Sequence, residues 1–172
     1  FYQRAFGTLK YDKKSPVTLN TIYDLASVTK ICATTLSCMR LYDEGKLDLN
    51  KTLGDYLPWL RGSDKARLKI KDVMLHQAGF VAWIPFYKRT LTDEVHPNMQ
   101  SVYQNIRDGD HHVRVAEDLY LRDDYIDTMF GEIRDSKLGK PLHYIYSDND
   151  FILMRKIVER LKAQSLDDYV QL

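Results

Sequence analysis

The sequence has little of what marks a specialised class of protein. It contains two cysteines among 172 residues, and no stretch approaches the roughly 20 consecutive apolar residues that a membrane-spanning helix needs. Its 25 Lys and Arg residues nearly balance 24 Asp and Glu residues, which leaves a formal net charge of +1. No strong electrostatic field therefore draws the protein to nucleic acid or to an anionic membrane, and we expect neither as a partner.

The two cysteines are expected to be unpaired, buried thiols. Cys32 and Cys38 lie on one predicted helix and point to different faces of it, which makes a disulfide between them implausible. Unpaired cysteines neither prove nor exclude an exported protein. Cysteine content thus leaves the cellular compartment open.

The overall composition is that of one globular domain, with 44% apolar and 28% charged residues. We expect a single domain over residues 1–172 that is incomplete at both ends. Residues 1–11 already indicate a strand and a turn, so an upstream piece that includes any export signal is expected to be missing. Residue 172 lies inside a predicted helix, which indicates truncation there as well.

Apolar residues three and four apart predict most of the secondary structure. They predict helices over residues 28–44, 69–76, 115–128, 129–136 and 151–161. The first half of helix 28–44 is apolar almost all round and is expected to lie inside the protein. Gly79 is expected to take the left-handed conformation after helix 69–76, and Ser165 with Asp168 predicts the start of a last helix.

A candidate nucleophile, Ser27, stands where the extended N-terminal region meets helix 28–44. Residues three apart on a helix share a face, so Lys30 is expected to lie beside Ser27. A lysine can take the proton of a serine hydroxyl if partial burial lowers its pKa toward neutrality, and the first turn of a helix offers N–H groups to a developing oxyanion. Such a pair suits acyl transfer. A bare S-x-x-K match is weak, and an ordinary serine at the start of a core helix is the alternative.

Further sequence blocks in a fixed order make this match more specific. They are residues 23–30 (YDLASVTK), 41–50 (LYDEGKLDLN), 53–58 (LGDYLP), 70–80 (IKDVMLHQAGF) and 146–148 (YSD) before an apolar helix. Together they resemble the serine β-lactamase and penicillin-binding-protein superfamily, especially its class C β-lactamase and esterase branch. The resemblance covers most of residues 5–80 and 141–172.

The resemblance implies an α+β, β-lactamase/transpeptidase-like fold. We expect a mostly helical fragment, with an N-terminal strand pair as a sheet remnant in residues 1–23 and a mainly helical region in residues 24–172. The C-terminal strands of the family sheet are expected to be missing. Residues 81–140 are the least family-like part, and we expect an insertion there, either a substrate-selecting lid or an ordinary core cluster around Trp83 and Phe86.

The resemblance also implies catalytic roles. Tyr146 matches the tyrosine of the family's Tyr-x-Asn motif and would share the general-base task with Lys30, since a neighbouring cation lowers the pKa of a phenol. Asp148 replaces the asparagine; its carboxylate can orient Lys30 but cannot donate to a substrate amide, which puts recognition of β-lactams in doubt. The family's third motif, Lys-Thr-Gly or His-x-Gly, would lie on a later strand, so we expect this chain alone to be inactive or severely impaired.

Several histidines are weaker candidates. His76 could act as a base, although the resemblance places it in the structural shell. Asp108, Asp110, His111 and His112 look like a metal cluster at first sight, but adjacent histidines point in different directions and the spacing matches no established motif. We expect a solvated loop there, and neither a metal nor a cofactor in the protein.

These observations favour a serine hydrolase that cleaves amides or esters through an acyl-enzyme on Ser27. It would be a β-lactamase-like enzyme, a D-peptidase or an esterase that acts on a small-molecule or peptide substrate. A non-catalytic binding or scaffold domain with the same fold is the alternative, and a helical interaction module unrelated to hydrolases is a third. The resemblance alone implies the bacterial periplasm or cell envelope. An uncovered sheet edge predicts self-association of the isolated fragment.

Overall fold

The computed structural model describes residues 2–171, which are mostly helical with one small sheet. The α-helices are α1 (Leu36–Asp43), which continues a π-helical turn (Lys30–Thr35), α2 (Leu53–Tyr56), α3 (Ile70–Met74), α4 (Asp124–Asp135), α5 (Asp148–Lys162) and α6 (Leu166–Val170). Short 3-10 helices occupy Pro58–Leu60, Asp64–Arg67 and Phe86–Thr90. Across residues 2–171, no helix combines the length and the apolar character that crossing a bilayer requires.

The central element of the core is α5, which packs against α1, α3, α6 and the π-helical turn. One face of α5 carries Leu153, Met154, Ile157 and Val158, each of which is 0% exposed. Their spacing places them on the same side of a helix. Neighbouring elements enclose them with the equally buried Leu41, Leu53, Leu60, Ile70, Val73 and Ile133. Because α5 begins at Asp148, the last residue of the YSD block, this core fixes the position of that block.

Local capping signals set the starts of the last two helices. Ser147 caps α5, where its Oγ accepts a hydrogen bond from the Asn149 N–H at 3.2 Å. Ser165 caps α6 in the same way, accepting from the Asp168 N–H at 3.3 Å. Both predicted helices are therefore confirmed, although α5 begins earlier than the apolar pattern indicated, at Asp148.

Residues 81–140 contain a three-stranded antiparallel sheet that the sequence analysis did not predict. Its strands are β1 (Tyr103–Gln104), β2 (Val113–Ala116) and β3 (Leu119–Leu121), in the order β1-β3-β2. The helix predicted over residues 115–128 is therefore wrong in its first half, and α4 merges the rest of it with the helix predicted over 129–136. Asp118, with a φ of 49°, turns the chain between β2 and β3. The main-chain groups of these strands bond across the sheet to neighbouring strands, a pairing that the spacing of apolar residues does not reveal.

Main-chain hydrogen bonds join the chain just before residue 81 to the chain near residue 140. The Gly139 N–H donates to the Gly79 carbonyl at 2.7 Å, and the Leu142 N–H donates to the Gln77 carbonyl at 2.9 Å. Gly79 has the predicted left-handed conformation, with a φ of 86°. A Cβ on Gly79 would lie 3.1 Å from the Gly139 carbonyl oxygen, so this close approach depends on glycine.

The helix that follows Ser27 is buried on one face only, so the prediction that its first half lies inside the protein is wrong for the described chain. The buried positions are Thr34, Ser37, Cys38 and Leu41. The side chains of Val28, Ile31, Leu36, Met39 and Tyr42 are between 48% and 66% exposed. Cys38 is buried as expected, whereas Cys32 is exposed, which corrects the prediction of two buried thiols. No residue of the described range 2–171 covers this second face.

The N-terminal strand pair is shorter than predicted. Thr8 and Pro16 form a single antiparallel bridge, which the hydrogen bond from the Leu9 N–H to the Ser15 carbonyl supports at 2.8 Å. Phe1, the first residue of the predicted strand, lies outside the described residues. Most side chains between residue 2 and the π-helical turn are exposed. Self-association of the chain stays a prediction.

Replacing Ala163 by glycine is expected to stabilise the protein by about 1 kcal/mol. Ala163 ends α5 with a φ of 55° and a ψ of 32°, a left-handed conformation in which a Cβ approaches the following carbonyl oxygen. Its side chain is exposed, so few contacts are lost. Denaturant unfolding measures the change. Ala33→Gly, within the π-helical turn, is the control and should destabilise; a loss of stability in Ala163→Gly would contradict the expectation.

Candidate active site

Ser27 lies in a tight turn immediately before the helix. The preceding residue, Ala26, has a φ of 43°, and its N–H donates to Asp24 Oδ1 at 2.7 Å. The Ser27 carbonyl accepts from the Lys30 N–H at 3.0 Å, which winds the turn into the helix. The Ser27 side chain is exposed, and its main-chain N–H has no protein acceptor within residues 2–171. Both groups are therefore open to a ligand.

Lys30 lies beside Ser27, as the three-residue spacing predicted. Its Nζ donates to Ser27 Oγ at 3.1 Å. Lys30 begins the π-helical turn, and the Thr35 hydroxyl donates to the Lys30 carbonyl at 2.8 Å. Such π-helical turns are frequent at functional sites. The Lys30 side chain is 15% exposed, so a partly shielded ammonium stands next to an open serine.

Two residues from the far end of the chain complete the cluster. Asp148 Oδ1 accepts from Lys30 Nζ at 2.6 Å, across 118 positions of sequence. The same Nζ lies 5.0 Å from the centroid of the Tyr146 ring, within the range of a cation–π contact. The structure therefore brings together all four residues that the sequence analysis selected.

Hydrogen bonds to the segment after Gly79 hold the YSD block in place. The Asp148 N–H donates to the Ala82 carbonyl at 3.0 Å. The Val81 carbonyl accepts twice, from Ser147 Oγ at 2.7 Å and from Asn149 Nδ2 at 3.0 Å. Ser147 and Asn149 are both 0% exposed. The position of the tyrosine thus depends on main-chain contacts made by its neighbours.

The ion pair with Asp148 keeps Lys30 protonated. Partial burial lowers the pKa of Lys30, but hydrogen bonds and charge attraction from Asp148 and Tyr146 outweigh it, so this pKa is raised above its ordinary value of 10.5. The condition that burial lowers the pKa of Lys30 toward neutrality is therefore not met. The reason is that a carboxylate at 2.6 Å favours the charged amine.

The pKa of Tyr146 shifts in the opposite direction. Hydrogen bonding with Ser27 and then with Lys30 lowers the pKa of Tyr146 below its ordinary value of 10.0. Asp148 opposes this shift, because its negative charge disfavours a phenolate. Of the groups in the cluster, the Tyr146 phenol is therefore the one whose pKa shifts in the direction that a general base requires.

A cleft of about 380 Å³ opens beside the cluster. The residues that line it include Ser27, Lys30, Thr34, Asp148, Phe151 and Arg155. A volume in this range accommodates a small ligand. A ligand in the cleft would reach the serine from its open side.

The two adjacent histidines lie in separate carboxylate pairs. His111 Nδ1 is 2.8 Å from Asp108 Oδ1, and His112 Nδ1 is 2.6 Å from Asp123 Oδ2. Within residues 2–171, no group of three or more His, Cys, Asp or Glu side chains is arranged to hold a metal ion. The carboxylates instead lie within hydrogen-bond distance of the imidazoles.

Asp150 is the residue near the cluster that the sequence analysis missed. Its Oδ2 lies 2.6 Å from Nδ1 of His76, and the His76 ring packs against the Tyr146 ring with centroids 4.7 Å apart. A carboxylate in the first turn of a helix is ordinarily a partner of the helix dipole. The sequence alone therefore does not distinguish Asp150 from an ordinary acidic residue in the first turn of a helix.

Comparison with known proteins agrees with the fold. A family model described as Beta-lactamase matches residues 1–171. A protein of Escherichia coli (strain K12), provisionally named a D-alanyl-D-alanine carboxypeptidase, is 32% identical over 189 residues, which cover 99% of this chain and 37% of that protein. A protein of Salmonella schwarzengrund (strain CVM19633) with the same provisional name is 33% identical over 190 residues, covering 98% of this chain and 37% of its own length.

Solved structures show the same architecture. FmtA from Staphylococcus aureus superposes with a TM-score of 0.63 at 20% identity, covering 96% of this chain and 36% of that one. A class C beta lactamase from Rhodobacter sphaeroides superposes with a TM-score of 0.58 at 23% identity, covering 96% of this chain and 37% of that one. At such identities the likeness concerns the fold alone. This chain spans 37% of the length of the curated relatives that it matches.

Asp148→Asn is expected to lower the pKa of both Lys30 and Tyr146. The carboxylate raises the pKa of Lys30 by pairing with it and raises the pKa of Tyr146 by repelling a phenolate, and an amide of the same shape removes both effects. Tyrosinate absorbance followed against pH measures the change, with the corresponding Tyr146→Phe titration subtracted in each background.

The matched control for this titration is Asp124→Asn, which removes an exposed carboxylate outside the cluster. It should leave the pH midpoint of the Tyr146 titration at its value in the unaltered protein. A midpoint for Tyr146 that stays constant or rises in Asp148→Asn would contradict the electrostatic role of the carboxylate.

Proposed function

The chain belongs to the Beta-lactamase family, and we propose that its parent protein is a serine hydrolase that cleaves amides or esters through an acyl-enzyme on Ser27. The resemblance to the serine β-lactamase and penicillin-binding-protein superfamily is thereby confirmed. The observation that carries the proposal is the 3.1 Å contact between Lys30 Nζ and the exposed Ser27 Oγ, in a cluster that also holds Tyr146. A shielded cation and a phenol beside an open serine suit nucleophilic catalysis.

Acylation begins when Tyr146, as a phenolate, accepts the proton of the Ser27 hydroxyl while Oγ attacks the substrate carbonyl carbon. The charge of Lys30 stabilises the phenolate, and Asp148 holds the ammonium in position. The Ser27 N–H donates to the negative charge that develops on the carbonyl oxygen. Tyr146 then passes its proton to the leaving amine or alcohol, and the acyl group remains as an ester on Ser27.

Hydrolysis repeats these steps with water as the nucleophile. Tyr146 accepts a proton from the water that attacks the ester carbonyl, and it returns a proton to Ser27 Oγ as the carboxylic acid leaves. The cycle restores the serine and the phenolate, so no proton accumulates in the site. Lys30 stays charged throughout, in keeping with its raised pKa.

A peptide that ends in D-alanyl-D-alanine is the substrate class that we propose for the parent. The provisional names of the relatives from Escherichia coli and Salmonella support it. Asp148 adds a physical argument, because an ionised carboxylate paired with Lys30 cannot donate to a substrate amide as asparagine does. This argument favours an esterase over a β-lactamase, whereas the relatives support the peptidase. Placement in the bacterial periplasm or cell envelope rests on the same relatives and belongs to the proposal.

Intact mass spectrometry of the full-length parent, treated with a serine-reactive fluorophosphonate, tests the nucleophile. One adduct is expected, and Ser27→Ala should abolish it because the attacking oxygen is gone. Ser101→Ala removes another exposed serine outside the cluster and should leave labelling unchanged. An unlabelled parent would favour the non-catalytic binding or scaffold domain. Parallel treatment of the 172-residue chain tests the prediction that it is impaired alone.

Tyr146→Phe is expected to lower kcat of the parent on a D-alanyl-D-alanine peptide by roughly 10² to 10⁴-fold, since it keeps the ring and removes the proton-transfer group. Steady-state kinetics measures the loss. Tyr144→Phe is the matched control, because Tyr144 is exposed and also approaches the His76 ring, with centroids 6.0 Å apart. Equal kcat values for Tyr146→Phe and the unaltered parent would remove Tyr146 from the mechanism.

A further inference from the structure

His76 occupies a position where glycine is usual. At the end of α3, the Gln77 N–H donates to the Asp72 carbonyl at 2.8 Å and the His76 N–H donates to the Val73 carbonyl at 3.1 Å, which is a Schellman arrangement. Its left-handed position falls on His76, with a φ of 56°. That conformation disfavours residues with a Cβ. A strained backbone beside a candidate site indicates that the side chain is needed where it points.

The imidazole that this conformation directs lies under the Tyr146 segment. His76 is 8% exposed, and its ring centroid is 4.7 Å from that of Tyr146 and 5.2 Å from that of Phe151. The His76 carbonyl also accepts from the Ile145 N–H at 2.9 Å. His76 therefore contacts the chain immediately before Tyr146, the tyrosine ring itself and the helix after it.

Two groups approach Nδ1 of this imidazole. Asp150 Oδ2 lies 2.6 Å away, and the Ser147 N–H points at the same nitrogen from 3.2 Å. A main-chain N–H can only donate, so the contact with Ser147 favours an Nδ1 that accepts and carries no proton. A carboxyl oxygen at 2.6 Å from an accepting nitrogen would then supply the proton of the hydrogen bond. The geometry thus favours a proton on Asp150.

The surroundings of Asp150 favour the same protonation state. The residue is 1% exposed, and its Oδ1 is buried without a hydrogen-bond partner in the described part of the chain. Among residues 2–171, no lysine or arginine pairs with it. Burial raises the pKa of Asp150 to about 8. Burial and the charge of Lys30 lower the pKa of His76, so both members of the pair are favoured in their neutral forms.

We propose that Asp150 donates its carboxyl proton to Nδ1 of a neutral His76, and that this buried pair positions the Tyr146 ring for proton transfer. Asp150 and His76 are positioning residues, and their role rests on the proposed hydrolase function. The charged and titratable groups that face the pair are Lys30, Asp148 and Tyr146. A neutral imidazole supports the tyrosine without placing a second cation beside Lys30.

The first test reads the tautomer and does not depend on activity. The full-length parent is labelled with ¹⁵N-histidine, and His76→Gln identifies the His76 signals by difference. The expected spectrum shows Nδ1 without a proton, Nε2 with one, and no titration between about pH 5 and 7. A protonated Nδ1, or an imidazolium that forms within that range, overturns the proposal.

The second test separates positioning from substrate binding. Asp150→Leu is expected to lower kcat on the D-alanyl-D-alanine peptide about tenfold or more while KM changes less than about threefold, because the tyrosine loses support and the cleft does not. Asp150→Asn should restore kcat to within about threefold, since its amide N–H can donate to Nδ1 in place of the carboxyl O–H.

The matched control is Asp93→Leu, which removes the carboxylate of an exposed pair with His96 at 2.7 Å. It should leave kcat unchanged. Unaltered kcat in Asp150→Leu, or equal loss in Asp150→Leu and Asp150→Asn, contradicts the positioning role. A parent that hydrolyses nothing contradicts the proposed function, and the NMR measurement then still decides the state of the pair.

Discussion

The candidate site depends on the ion pair between Lys30 and Asp148. It joins the π-helical turn after Ser27 to the first residue of α5 at 2.6 Å, and the side chains are 15% and 42% exposed. Partial shielding makes such a pair stronger than one on the open surface. The same contact keeps the amine charged, which in the proposed mechanism leaves the phenol of Tyr146 as the base. One carboxylate therefore influences both the geometry of the cluster and the assignment of its proton transfers.

Several features could be predicted from the sequence because they depend on residues three or four positions apart. The contact between Ser27 and Lys30 follows from helical spacing. The apolar stripe of α5 and the cap at Ser165 follow from equally local patterns, and the structure confirms them. Only the family resemblance predicted that Tyr146 and Asp148 lie near Ser27. The residues next to them in sequence do not indicate a partner so far away in the chain.

The features that were mispredicted or missed depend on pairings that helical spacing does not show. β3 pairs with β2 on one side and with β1 on the other, so the apolar spacing from residue 115 onward suggested a helix that does not form. The exposure of Cys32 depends on what covers its face of the helix, and the raised pKa of Lys30 depends on Asp148. Asp150 was overlooked because its partner, His76, is 74 positions away. Local patterns carry no information on such pairings.

The hydrogen bond between Gly79 and Gly139 has a consequence for how this protein can change over generations. Because the chain returns at Gly139 to the place that it left at Gly79, the stretch between them has fixed ends. Part of this stretch belongs to the main core, since Ile133 of α4 is buried there, but the small sheet packs with Val102, Leu121 and Tyr125 in a cluster of its own. Insertions, deletions or exchanges around this sheet need not displace Ser27 or Tyr146. Selection can therefore reshape the sheet while the cluster around Ser27 is kept, and a laboratory library confined to residues 103–121 would vary this surface at little risk to the candidate site.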